Sequence, residues 1–188
     1  MTADISTKRV AFLLTNGVEQ VELTSPWQAV VDAGGSPTLI SPQAETVTAM
    51  NSDWEHGDTF NVDVQLTNAN PDDYDALVVP GGTLNADRLR IDTDAQVFVR
   101  AFFEAQKPVG VICHGPWILI NAGVASGRNV TSFWSLSTDL RNAGANWSDQ
   151  EVVVDSGLVT SRYPGDLQAF NAKLLEEIAE GKHQPQTV

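Results

Sequence analysis

The stretch Pro108-Val-Gly-Val-Ile-Cys113-His114-Gly115-Pro116-Trp-Ile-Leu-Ile-Asn-Ala-Gly123 decides how the fold is read. Val109 to Ile112 is an apolar run of strand length that leads directly into the only cysteine. A second apolar run after Pro116 fits a short buried helix ending at Gly123. A nucleophile between a strand and a helix matches the elbow arrangement, in which a sharp turn holds the reactive atom above the sheet edge. The helix N-terminus would favour a thiolate and lower the pKa of Cys113. The competing role for a lone cysteine at a strand end is plain core packing. The histidine beside it and the strand–helix position favour a nucleophile.

Around this stretch, short apolar runs alternate with helical patterns. Arg9 to Thr15 reads as the first buried strand, followed by an Asn16-Gly17 turn. A helical pattern then runs toward Gly34, broken at Pro26, so Ser25 caps a new helix or one helix is kinked there. Ser36 to Ser41 reads as a strand, 42–58 as turn and polar chain, and Thr59 to Leu66 as an alternating strand. Asp75 to Pro80 is another buried strand. Thr93 and Gln96 form a capping box for a helix with Val97, Phe98, Ala101, Phe102 and Ala105 on one face. Val130–Phe133 reads as a strand and Leu136–Ala143 as a helix. Ser156-Gly157 turns a hairpin between Val152–Asp155 and Leu158–Ser161. A last helix starts near Pro164–Asp166, and the tail past Gly181 is polar. The alternation predicts a doubly wound, mostly parallel α/β sheet sandwiched by helices, in one domain over residues 1–188 with its core at about 9–179.

Composition narrows the function. The formal net charge of −13 lacks the basic footprint of a nucleic-acid binder and would repel an anionic membrane. One cysteine excludes an internal disulfide, and Met1 to Arg9 shows no apolar signal core, which together predict a soluble, cytoplasmic protein. With three histidines and one cysteine, no metal-ligand spacing is present, and no cofactor is expected.

In such a sheet, ligands sit beyond the carboxyl ends of the strands. Three loops fall there: Asn16–Glu22, Pro80–Arg88 and Cys113–Gly115. Glu19 and Glu22 are either first-turn acids complementing a helix dipole or, one of them, a carboxyl reaching the Cys113 sulfur. A carboxyl in that place would keep its proton. Gly81 and Gly82 can bring backbone N–H groups against a substrate oxygen and, with the N–H of His114, form an oxyanion hole. His114 is the histidine with a catalytic address, and Asp87 is a candidate to orient it. His56 and His183 read as structural or exposed.

Val-Glu-Gln-Val-Glu-Leu (18–23), Val-Val-Pro-Gly-Gly (78–82), Val-Ile-Cys-His-Gly-Pro (111–116) and Val-Thr-Ser-Arg-Tyr-Pro-Gly-Asp-Leu (159–167) together resemble the DJ-1/PfpI family, from about Arg9 to Ala179. The nearest branch is that of PfpI-like intracellular proteases and general stress proteins. The resemblance implies a flavodoxin-like fold and a homo-oligomer built on dimers. It implies Cys113 as the reactive cysteine, Glu22 as the carboxyl touching its sulfur and Glu19 as an interface or support residue. An acidic residue from a neighbouring subunit completes a triad in that branch, and Asp87 matches it with a loop one residue longer and Asp in place of Glu. Peptidase, glyoxalase, deglycase, chaperone and oxidation-sensing activities are ascribed to the family. Class I glutamine amidotransferases, which also carry an elbow cysteine, need a late His-x-Glu that is missing here, since His183 is followed by Gln184-Pro185.

The expected function is therefore a cysteine-dependent stress-response enzyme. It would act on a small reactive carbonyl, in glyoxalase or deglycase fashion, or on a peptide bond. The rival is a non-enzymatic sensor or chaperone working through oxidation of Cys113, and a third possibility is a purely structural module with an inert thiol.

Overall fold

The computed structural model describes residues 4–182; His183 and the tail beyond it lie outside the described residues. In chain order the elements are β1 (Arg9–Leu13), α1 (Gln20–Asp32), β2 (Ser36–Ser41), β3 (Thr46–Asn51), β4 (Glu55–Asn61) and β5 (Val64–Gln65). There follow β6 (Ala76–Val79), α2 (Thr83–Ile91), α3 (Thr93–Glu104), β7 (Val109–Ile112), α4 (Trp117–Asn121) and β8 (Asn129–Val130). The chain continues through α5 (Ser137–Asn142), β9 (Asn146–Trp147), β10 (Val152–Asp155), β11 (Leu158–Ser161) and α6 (Leu167–Glu180).

Seven strands form the central sheet in the order β10-β11-β7-β6-β1-β2-β5. All neighbours are parallel except β10 and β11, the hairpin whose turn residues Ser156 and Gly157 both have positive φ. Strand alternation divides the core between two faces. Ala11, Leu13, Leu77 and Val79 pack against Phe98, Phe102 and Leu119 on one side. Val10, Phe12, Ala76 and Val78 pack against Leu23, Val30, Phe170 and Leu174 on the other. Burial on both faces is why the central strands read as continuous apolar runs. After β1 the chain winds toward β5, then returns to lay β6 on the opposite side of β1. The strand order therefore reverses at β1/β6, and the ends of β1, β6 and β7 share one sheet edge there.

Several local expectations are corrected. Of the two alternatives at Pro26, the single helix holds and the new cap at Ser25 does not: α1 runs through Pro26, and Ser25 Oγ accepts a 2.9 Å hydrogen bond from Asn171 Nδ2 of α6. Pro26 has no N–H to give the carbonyl of Glu22. α3 is capped by Asp92, whose Oδ1 accepts from Ala95 N at 3.0 Å, because Asp92 is the last extended residue; Gln96 bonds Arg90 O instead. The stretch from Pro80 to Arg88 is a loop only as far as Gly82, and α2 follows. Only Asn85, Ala86 and Leu89 of α2 are buried, so it carries no apolar stripe to betray it. The stretch 42–58 is not only turn and polar chain: β3 and β4, the latter running on to Asn61, pair as a separate antiparallel ribbon, with Val47 and Ala49 buried. The strand expected over Thr59–Leu66 ends at Asn61; β5 and a 3₁₀ turn at Leu66–Asn68 follow. That expected over Val130–Phe133 shrinks to β8, and the helix expected over Leu136–Ala143 shortens to α5.

Beneath the Cys113 strand, Gly110 leaves the space that the Phe170 ring and Leu174 occupy. Phe170 is fully buried. Phe170→Ala is expected to lower stability by about 3–5 kcal/mol, read by chemical denaturation with a lower midpoint and an unchanged slope.

Candidate active site

Cys113 follows β7 with φ of +63°, in the left-handed region that a side chain enters only under constraint. The constraint is visible: Cys113 N donates to Ser161 O at 3.1 Å, and Cys113 O accepts from Phe133 N at 2.9 Å. β11 on one side and the chain before α5 on the other pin the residue in the elbow. The helix expected to lower its pKa does not reach it. α4 begins four positions later, at Trp117, and is only five residues long. Cys113 is 6% exposed, and burial pushes its thiol up rather than down. The N–H groups of Gly82 and His114 turn toward the sulfur and partly offset that effect.

Of the two candidate glutamates, the structure brings Glu22 to the sulfur. Its side chain is fully buried in the first turn of α1, where Oε2 accepts from Gly81 N at 2.8 Å. The Gly81 N–H is thereby occupied and does not face the cavity as an oxyanion donor. A Cβ on Gly81 would collide with both Glu22 Oε2 and Cys113 Cβ, so only glycine lets the carboxyl and the cysteine meet. Burial raises the Glu22 pKa to about 8, against an ordinary value of 4.5. At neutral pH the carboxyl holds its proton. This removes the repulsion that a charged Glu22 would add to a thiolate.

Glu19 stands one turn earlier, half-buried, with Oε2 accepting from Ser52 N at 2.9 Å, and desolvation raises its pKa. It fastens the tip of the β3–β4 ribbon to the site. His114 lies alongside the sulfur, with Nδ1 3.2 Å from Cys113 Sγ and Nε2 3.3 Å from Ser135 Oγ. The Phe133 ring stacks on the imidazole at 4.6 Å, and burial lowers the His114 pKa, so the ring is neutral at pH 7. Asp87 is exposed on α2 and lines no part of the cavity of its own chain. His56 is exposed on β4.

Gly82, Cys113 and His114 border a cavity of about 280 Å³. Glu19, Ser52, Asp53, Phe133, Tyr163 and Pro164 complete its lining. Sequence reasoning missed Asp53. It lies in a polar stretch read as a turn, and only the β3–β4 pairing carries it to the site. Ser52 and Asp53 both have positive φ, and Asp53 is held by Thr83, whose N and Oγ1 donate to its carboxylate at 2.9 and 2.6 Å. Next to Tyr163 in the chain, Arg162 bonds both Asp166 oxygens at 2.8 and 3.0 Å and Asp149 at 2.7 Å. Among the described residues no group of three or more His, Cys, Asp or Glu is placed to hold a metal ion. No described helix is long and apolar enough to cross a membrane.

Sequence comparison agrees with this geometry: a model of the DJ-1/PfpI family matches residues 8–177. The chain belongs to the DJ-1/PfpI family. The Bacillus subtilis protein named "Putative cysteine protease YraA" is 42% identical over 169 residues, covering 89% of this chain and 96% of its own. DJ-1beta of Drosophila melanogaster superposes with a TM-score of 0.83 at 28% identity, over 92% of this chain and 90% of that one. A protein of Anabaena variabilis with DJ-1/ThiJ/PfpI-like and ferritin-like domains gives a TM-score of 0.84 at 32% identity. The match covers 91% of this chain but half of that two-domain chain.

The raised Glu22 pKa fixes a sign for stability. The unfolded carboxyl ionises near 4.5 while the folded one stays neutral to about 8. Its contribution is therefore full below the unfolded pKa and is lost as pH rises through the folded one. Glu22→Gln, neutral at every pH, lacks this dependence. Unfolding measured between pH 4.5 and 8 should show the stability difference moving in favour of Glu22→Gln as pH rises, by on the order of a few kcal/mol. A pH-independent difference would contradict a protonated Glu22.

Proposed function

We propose that this protein is a cysteine-dependent enzyme acting on small reactive carbonyl compounds, with Cys113 as nucleophile. The observation that carries the reading is the Cys113 Sγ–His114 Nδ1 pair at 3.2 Å, set in a cavity of about 280 Å³. A space of that size suits a dicarbonyl or a small adduct better than a polypeptide segment. As the sulfur bonds to the carbonyl carbon, the thiol proton passes to neutral His114 Nδ1. The developing oxyanion is met by the N–H groups of Gly82 and His114, and the proton returns to that oxygen to give a hemithioacetal. Protonated Glu22 keeps negative charge away from the sulfur while the bond forms. Ser135, at the other ring nitrogen, orients the imidazole.

Peptide-bond cleavage is the second reading, and it is supported by the name of the Bacillus subtilis relative. In a homo-oligomer this reading assigns Asp87, exposed on α2, to the site of a neighbouring subunit. A sensor working by oxidation of Cys113 is the non-enzymatic rival, and with one cysteine in the chain it has no internal disulfide to form.

Methylglyoxal consumption and cleavage of a labelled peptide, run in parallel, separate these readings. Cys113→Ser is expected to abolish dicarbonyl turnover, and His114→Ala to lower kcat by about 100-fold or more. Cleavage of the peptide alone would select the protease, and turnover of neither would remove the enzyme reading.

A further inference from the structure

The lining of the cavity carries charge of one sign. Phe133 and Tyr163 give it aromatic surface, and Glu19 and Asp53 give it its acids. No lysine or arginine is among the described residues lining it. Burial keeps His114 neutral, so at neutral pH the cavity holds no standing positive charge. Asp53 is the best anchored of its acids. Thr83, the first residue of α2, grips both carboxylate oxygens, and the Glu19 bond to Ser52 N secures the turn from the other side. The field of Asp53 extends across the site: it adds to the upward shifts of Glu19 and Glu22 and partly offsets the downward push that burial gives His114.

A carboxylate fixed at a turn is ordinarily a structural cap, and Asp53 does dock the ribbon onto α2. That docking leaves a negative charge on the lining of the cavity that Cys113 borders. We propose that Asp53 is a specificity-determining residue, admitting neutral or cationic electrophiles to Cys113 and turning away those that bear a carboxylate. The inference rests on Cys113 being the reacting group. Neutral aldehydes and dicarbonyls would enter, and 2-oxo acids of similar size would be poor reactants. In a half-closed cavity the Coulomb cost of bringing a second negative charge within several ångströms is enough for a discrimination of about tenfold or more.

Alkylation tests this without requiring turnover. Iodoacetamide and iodoacetate are nearly equal in size and react alike: the sulfur–carbon bond forms, the carbon–iodine bond breaks, iodide leaves, and the thiol proton passes to His114 and then to solvent. Rates of Cys113 modification are followed by intact mass, and the amide-to-acid ratio is divided by that of N-acetylcysteine in the same buffer. The corrected ratio is expected to be about tenfold or more in the wild type. It should fall several-fold in Asp53→Asn, and should narrow in the wild type as salt is raised. A wild-type ratio equal to that of the free thiol would overturn the proposal. So would a ratio unchanged in Asp53→Asn, a ratio indifferent to salt, or a Cys113 inert to both reagents. Charge-selective alkylation in a protein that converts no carbonyl would leave the filter standing and remove the enzyme reading instead.

Discussion

The site depends on a contact between two acids in a place almost without water, the Glu22 carboxyl and the Cys113 thiol. Neither can carry charge there without cost, and a charge on one raises the cost of a charge on the other. The surrounding structure makes that meeting possible. α1 continues through Pro26 and keeps Glu22 in its first turn. Gly81 gives up a side chain so that the two groups can approach and lends its N–H to the carboxyl. Gly82, at φ of +86°, packs so closely against the backbone of Gly17 and Glu19 that a Cβ would not fit. Loops from the ends of three neighbouring parallel strands thus converge on one buried proton.

The parts of this arrangement that lie on strands were legible in the sequence. β1, β6 and β7 are buried on both faces, so each shows as a short uninterrupted apolar run whose end marks a loop at the sheet edge. The β10–β11 hairpin was legible for a different reason, since its Ser-Gly turn supplies the positive φ values that a tight connection needs. α2 was hidden. Its buried residues are an asparagine, an alanine and a leucine, and Asn85 is spent on the site's own backbone, donating to Pro80 O and Gly81 O. With a polar residue at one of its few buried positions, the helix shows no apolar stripe.

The electrostatic expectation for Cys113 failed because a sequence gives order along the chain but not distance or burial. A helix does follow the cysteine, yet it is short and starts too late, and desolvation outweighs it. Asp53 illustrates the complementary gap. Nothing near it in the chain marks it as part of a site, and it arrives through the pairing of two strands that themselves stand apart from the main sheet. The choice between Glu19 and Glu22 belongs to the same class. Both are acids at the start of one helix, and only the direction of its first turn separates the residue at the sulfur from the one that holds the ribbon.

The backbone at residue 113 has an evolutionary consequence. At φ of +63° the conformation disfavours every residue with a side chain, and glycine would adopt it freely. Selection for folding alone therefore pulls this position toward glycine, a change that would relieve strain and erase the thiol together. A lineage that lost its need for the sulfur would be expected to drift there first. The cysteine at this corner is thus held against the preference of its own backbone.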